Sequence, residues 1–216
     1  GQWLSRDRIL EDLWPDADPA SARASFKQVF SWLRRVIEPY RRPRAASRYI
    51  EVVDDVYCCD PRRAVVAIDV DEFESTVRPI VRADLPDMPP LPDSLLTALE
   101  RWQPLLPDLP YAAWTLEPRE KLLSLYVEGC LYVAQALLGR DRAAEAVGWA
   151  QRAVAHAPWL EEGYQVLMRA HARQGNRSLA LKTFDEAVAA LHREMSLAPS
   201  ALTVWLAQRL RDGEEI

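Results

Sequence analysis

Residues Ala20–Ile50 read ASARASFKQVFSWLRRVIEPYRRPRAASRYI. Eight cations (Arg23, Lys27, Arg34, Arg35, Arg41, Arg42, Arg44 and Arg48) stand against one acid, Glu38, so these 31 residues carry +7 in a chain whose formal net charge is −5. Ala22, Phe26, Val29, Phe30, Leu33 and Ile37 recur at spacings of 3, 4 and 7. That period predicts a helix with one core-facing side, running from Pro19 to about Ile37. Asp18 offers an N-cap, and Pro19 stands at the first helical position, where a missing N–H costs nothing. Pro39 ends the helix. Arg23, Lys27, Ser31 and Arg34 share a second face, and Arg35 follows directly. A helix lying in a DNA major groove needs such a stripe of donors, some for phosphates and some for base edges. Taken singly, each of these residues reads as well as a plain solubilising charge.

The flanks extend the pattern. Ser5 is an N-cap candidate for a helix over Arg6–Trp14, with Ile9, Leu10, Leu13 and Trp14 on its apolar face. Pro15 stops it. Beyond Pro39 lies a basic loop, Tyr40–Ser47. Two β-rich runs come next, Tyr49–Val53 and Val56–Cys59, around Asp54-Asp55, which is a hairpin signal. Helix, turn, basic helix, basic loop and hairpin is the order of a winged helix-turn-helix. The hairpin would be the wing, and Arg48 with the 41–44 loop would contact phosphate beside the helix.

The rest of the chain excludes several classes of function. At 216 residues, 49% of them apolar, one or two domains with a real core are expected. No run of 18 apolar residues occurs and no signal-peptide pattern opens the chain, so the expectation is a cytoplasmic protein that spans no membrane. Three cysteines, Cys58, Cys59 and Cys130, form no disulfide framework. His156, His171 and His192 sit on separate helices, where packing or surface roles are expected. Neither GxxxxGK[ST], GxGxxG nor GxSxG is present, so no enzyme and no cofactor is expected. The acids of Ile68-Asp69-Val70-Asp71-Glu72-Phe73-Glu74 lack the glycine and the bidentate acid of a calcium loop. A helix cap at Asp69 or Asp71 is expected there, not a metal. From Pro79 to Pro118, both included, the chain holds nine of its sixteen prolines. A helix is expected over Leu95–Trp102, with the remainder irregular and packed by Leu105, Leu106, Leu109, Tyr111 and Trp114.

Beyond Pro118 the pattern is helical and it repeats. Ala146 and Ala180 are 34 apart, as are Ala153 and Ala187, and Ala150 and Phe184. That is the tetratricopeptide (TPR) period, in which small residues mark close helix approaches. The expected pairs are Arg119–Leu138 with Arg142–His156, and Leu160–Gln174 with Ser178–Arg193. Gly139 and Gly175 would take left-handed turns, and Ala201–Leu210 would cap the stack. Glu161-Glu162 reads as a pair of first-turn acids favoured by the helix dipole.

Two resemblances cover most of the chain. Ser5–Trp14, Phe30-Ser31-Trp32-Leu33-Arg34-Arg35 and the strand around Tyr57 resemble the later half of an OmpR-type winged helix, in the variant found in the Streptomyces antibiotic regulatory protein (SARP) family. Trp32 stands where that family has the middle arginine of its basic string. The family domain begins with a small sheet and a first helix, so this chain is expected to be the C-terminal portion of a longer protein. Pro158-Trp159-Leu160-Glu161-Glu162, Leu167-Met168, Gly175-Asn176, Ala180-Leu181, Phe184, Leu191 and Pro199-Ser200 resemble the bacterial transcriptional activator domain.

What the resemblance implies is a mainly α protein with three parts. These are a partial winged helix-turn-helix with a β-hairpin wing over 1–60, a connector packed on the helical domain over 61–118, and a TPR-like domain over 119–216. The implied function is a transcriptional activator that binds double-stranded DNA through Arg23, Lys27, Ser31, Arg34, Arg35 and Arg48. The helical domain would regulate, form a homo-oligomer, or touch RNA polymerase or another protein. The rival reading is a TPR-like adaptor with no DNA binding of its own.

Overall fold

The computed structural model describes residues 2–42, 45–59, 68–82, 90–109 and 111–216. Among them are nine helices and three strands, so the fold is mainly α, as expected. The chain divides into two compact units: residues 1–72 with 108–117, and residues 73–107 with 118–216.

In the first unit, β1 (Trp3–Ser5), α1 (Arg6–Leu13), α2 (Pro19–Ile37), β2 (Ile50–Val53) and β3 (Val56–Cys59) follow in order. Local chemistry sets the helix starts. The Ser5 hydroxyl accepts the Arg8 N–H at 3.3 Å. The Asp18 carboxylate accepts the N–H groups of Ala20 and Ser21 at 3.0 and 3.1 Å. Asp54 and Asp55 take φ of 48° and 63°, the left-handed pair that a two-residue hairpin turn needs. Aspartate tolerates this conformation better than most residues.

The third strand, β1, was not expected. It pairs antiparallel with β3, Trp3 opposite Cys58 and Ser5 opposite Val56, giving the strand order β1-β3-β2. Three residues are too few to show strand alternation, and their partner lies more than fifty residues away. An Arg6–Asp55 ion pair at 3.0 Å and an Arg6 N–H to Asp55 carbonyl bond at 2.9 Å tie the start of α1 to the hairpin turn.

Leu10, Ala22 and Phe26 are buried together, with Ile9, Trp14, Phe30 and Tyr57 packed around them. Tyr57 meets Phe26 and Phe30 edge-on, at 5.2 and 5.1 Å between ring centroids. The core face of α2 is narrower than its periodicity suggested. Val29 and Leu33, expected inside, are 42% and 45% exposed. With Trp32 and Val36 they form an uncovered apolar row at i, i+3, i+4 and i+7.

The second unit holds most of α3 (Asp69–Val81), all of α4 (Asp93–Glu100), α5 (Ala113–Gly139) from Pro118 onward, and α6 (Ala143–His156), α7 (Glu161–Arg173), α8 (Arg177–Met195) and α9 (Ala201–Asp212). The repeat is visible in the boundaries. Helices end at 139 and 173 and restart at 143 and 177, each 34 residues apart. Ala146, Ala150, Ala153, Ala180 and Ala187 are all fully buried. Glycine also permits two close approaches. A Cβ on Gly129 would lie 2.7 Å from Leu99 of α4, and one on Gly163 would lie 2.5 Å from Val154 of α6. The capping helix α9 closes a cluster of Met168, Ala180, Leu206, Ala207 and Leu210. Two polar bonds hold it there, the first of them buried. Gln165 Nε2 donates to Thr203 Oγ1 at 2.9 Å, and the Ser200 N–H donates to Glu161 at 2.7 Å. Burial alone would raise the Glu161 pKa, but bonds from Thr203 and Ser200 outweigh it and hold the carboxyl below its usual range.

Several expectations are corrected here. Helix α5 begins at Ala113, not Arg119, and runs through Pro118. Arg119 Nε donates to the Leu105 carbonyl at 2.7 Å. Leu106, Leu109, Tyr111 and Trp114, expected to pack, are 41%, 46%, 95% and 38% exposed. Asp69 and Asp71 lie within the first turn of α3, where the helix dipole favours them, and do not precede it as caps. The left-handed turn after α5 falls on Asp141, not Gly139, whereas Gly175 does take φ +75°. Helix α5 is also long and apolar enough to cross a membrane by composition, but two thirds of its most apolar stretch is buried inside the protein. The irregular segment expected over 83–89 and the connector over 61–67 lie outside the described residues.

The three histidines differ. His156 meets Trp102 and Tyr126 edge-on, each at 5.5 Å, beside a Trp102–Tyr126 stack at 4.1 Å. His192 is exposed. His171 is 7% exposed, and its Nδ1 has no hydrogen-bond partner among the described residues. Burial lowers its pKa, and the nearby Glu186 only partly opposes this. The unfolded chain therefore binds a proton more readily than the folded one. Stability is complete above the ordinary histidine value of 6.5 and falls as the pH drops below it toward the lowered folded value. Urea unfolding of the wild type should show this loss between neutral and mildly acidic pH. A His171→Phe variant should flatten that segment of the profile. An unchanged profile would mean that another group titrates there.

Candidate nucleic-acid interface

The core under α2 decides which of its side chains reach water. Phe26 and Phe30 point into the aromatic cluster with Tyr57. Residues about 60–180° around the helix from that face are left outward. Arg23, Lys27 and Ser31 are exposed there, and Arg35 continues the row four residues further. From Arg23 to Arg35 the row spans roughly 18 Å of helix at ~1.5 Å per residue. Among the described residues no carboxylate pairs with Arg23, Lys27 or Arg35. Their charge is therefore available to an external anion.

Arg34 behaves differently from its neighbours. It is half-buried, and its guanidinium carbon sits 4.3 Å from the centroid of the Phe30 ring. It lies four residues past Phe30, so it falls between the core face and the cationic row, and the face of the Phe30 ring draws it back. Arg35, not Arg34, extends the outward stripe.

At the end of α2, Glu38 organises the basic loop and the start of β2. Its backbone N–H caps the helix on the Arg34 carbonyl at 3.0 Å. Its carboxylate accepts the Arg48 N–H at 2.7 Å and lies 3.9 Å from Arg41 Nε. Arg41 also donates to the Ala45 carbonyl. Ser47 donates its hydroxyl to Glu38 and accepts the N–H groups of Tyr49 and Ile50 at 3.2 and 3.0 Å, which starts β2. The Glu38 side chain is only 6% exposed. Burial pushes its pKa up, but the Arg48 N–H, the Ser47 hydroxyl and the charges of Arg41 and Arg34 outweigh that, and the net shift is downward. Glu38 stays ionised among arginines.

Beside this cluster lies an open recess of about 350 Å³, lined by Arg34, Ala46–Val52 and Cys58. It brings Arg34 and Arg48 to one place. Arg23 and Lys27 sit further back along α2. Arg44 lies outside the described residues. The structural part taken by Glu38 and Ser47 was missed in the sequence, although one signal existed: Glu38 is the sole acid in the basic segment.

The chain thus holds one sheet-and-helix unit with a cationic helix face and one unit of TPR-like helix pairs. A protein-family model described as the bacterial transcriptional activator domain matches residues 68–211, two thirds of the chain. The chain belongs to that family, as its sequence resemblance implied. Among solved structures it is similar to Mycobacterium tuberculosis EmbR in complex with a low-affinity phosphopeptide, with a TM-score of 0.79 and 19% sequence identity. The alignment covers 100% of this chain and 56% of that one, so this chain spans a little over half the length of EmbR, and the likeness is one of fold. No curated protein matches the sequence.

Proposed function

We propose that this chain is part of a longer, cytoplasmic, DNA-binding transcriptional activator whose role is binding and not catalysis. The observation that carries the proposal is the unpaired row Arg23, Lys27, Ser31 and Arg35 on α2, positioned by an aromatic core next to a β-hairpin. Helix α2 would enter the major groove, and Arg48 and Arg42 would meet phosphates beside it. Family membership over residues 68–211 supports the regulatory role. The uncovered row Val29, Trp32, Leu33 and Val36 favours a longer protein in which a further segment packs on α2. In that protein the helical unit would contact RNA polymerase or another protein, or a second copy of itself.

The test is a titration of labelled duplex DNA with the full-length protein across a salt series. Binding should weaken log-linearly with salt, with a slope of roughly 0.9 for each phosphate neutralised. Binding that is absent, or insensitive to salt, would replace this reading with that of a TPR-like adaptor.

A further inference from the structure

We propose that Glu38 is a positioning residue for DNA binding: a buried carboxylate that draws both ends of the basic loop together and so fixes where Arg42 and Arg48 are presented. The proposal rests on the DNA-binding reading above. Four observations carry it. Glu38 is the only acid in a segment of eight cations, yet it is buried and not spread on the surface. It reaches residues on both sides of the loop, with Arg41 three positions ahead and Ser47 and Arg48 nine and ten ahead. Its bond at the far end goes to a backbone N–H, so it constrains the chain and not merely a side chain. Ser47, which it holds, in turn starts β2 through two further backbone bonds.

The physical consequence is a division of labour among the cations. Glu38 draws Arg41 inward, and Phe30 holds Arg34 back. Arg42 and Arg48 stay exposed. A loop ordered before binding loses less freedom when DNA arrives. A negative charge on a DNA-facing surface would otherwise oppose binding. The two effects have opposite signs, which makes the proposal testable.

If Glu38 matters only through its charge, removing it should tighten binding. If it positions the loop, Glu38→Ala should weaken duplex binding roughly tenfold, the scale of one lost charge-assisted contact, although the protein becomes more positive. Glu38→Gln keeps a carbonyl oxygen for the Arg48 N–H and should bind as tightly as the wild type or tighter. Hydrogen exchange at the Arg48 amide, measured without DNA, is a second readout. It should accelerate in Glu38→Ala and not in Glu38→Gln, with α2 still protected in both. Unchanged or tighter binding by Glu38→Ala, equal weakening in both variants, or an unaltered Arg48 amide would overturn the proposal. If the wild type binds no duplex at all, the functional reading fails, and the exchange measurement still decides whether Glu38 orders the loop.

Discussion

A Leu206→Ala variant is expected to lose about 2–5 kcal/mol of unfolding free energy, placing it among the most damaging single truncations in this chain. Leu206 is 1% exposed and sits on α9 against Met168, Ala180, Ala207 and Leu210. Two of those neighbours, Ala180 and Ala207, are fully buried alanines, so helix backbones approach closely there. Helix α9 is also pinned at its start by the Gln165–Thr203 and Glu161–Ser200 bonds. Those bonds resist the collapse that would otherwise soften the cost. Leu202 lies on the same helix and is 46% exposed. Its truncation should change stability by no more than about 0.5 kcal/mol. Urea unfolding measures both, and a lower midpoint at unchanged slope is the expected sign of lost stability. Equal costs for the two leucines would mean that α9 does not seal the helical unit.

The second large effect is expected on DNA. Replacing Arg23 and Lys27 together with alanine in the full-length protein should weaken binding at low salt and reduce the salt slope by roughly 2 units, near 0.9 per phosphate contact. Both side chains are exposed, so stability should hardly move. If either residue reads a base edge, the loss should be concentrated on particular sequences, with discrimination falling by about 1–3 kcal/mol at one position. Lys182, exposed and paired with Glu186 at 3.5 Å on α8, is a suitable control. Arg173 is not, because it donates to the Leu138 carbonyl and so ties α7 to the end of α5. Equal, negligible effects from the double variant and from Lys182→Ala would move the assignment to the adaptor reading.

The candidate interface was legible in part. Arg23, Lys27, Ser31 and Arg35 stand exposed on α2, where helix period predicts which side leaves the core, and Arg48 is exposed just before β2. Arg34 was read into the same stripe, yet it turns back onto Phe30. At 100° per residue it lies on the border between two faces, and the direction of a long side chain on a border is set by what it can touch. Glu38 posed the converse problem. Its isolation among cations was visible, but its burial depends on residues nine and ten positions away returning to meet it.

The same division runs through the whole fold. Sequence alone determined the starts of α1, α2 and α9, the hairpin turn at Asp54-Asp55, the 34-residue recurrence and the family. Each of these rests on groups a few residues apart or on spacing along one chain: a Ser5, Asp18 or Ser200 oxygen over the first turn, two aspartates in left-handed conformation, alanines where helices touch. Only the tertiary structure decided the pairing of β1 with β3, the exposure of Val29 and Leu33, the burial of His171 and the closing of the basic loop by Glu38. Periodicity names the apolar face of a helix but not what lies against it. Burial, strand partners and the course of a long side chain depend on groups brought together from distant positions, and that information exists only once the chain has folded.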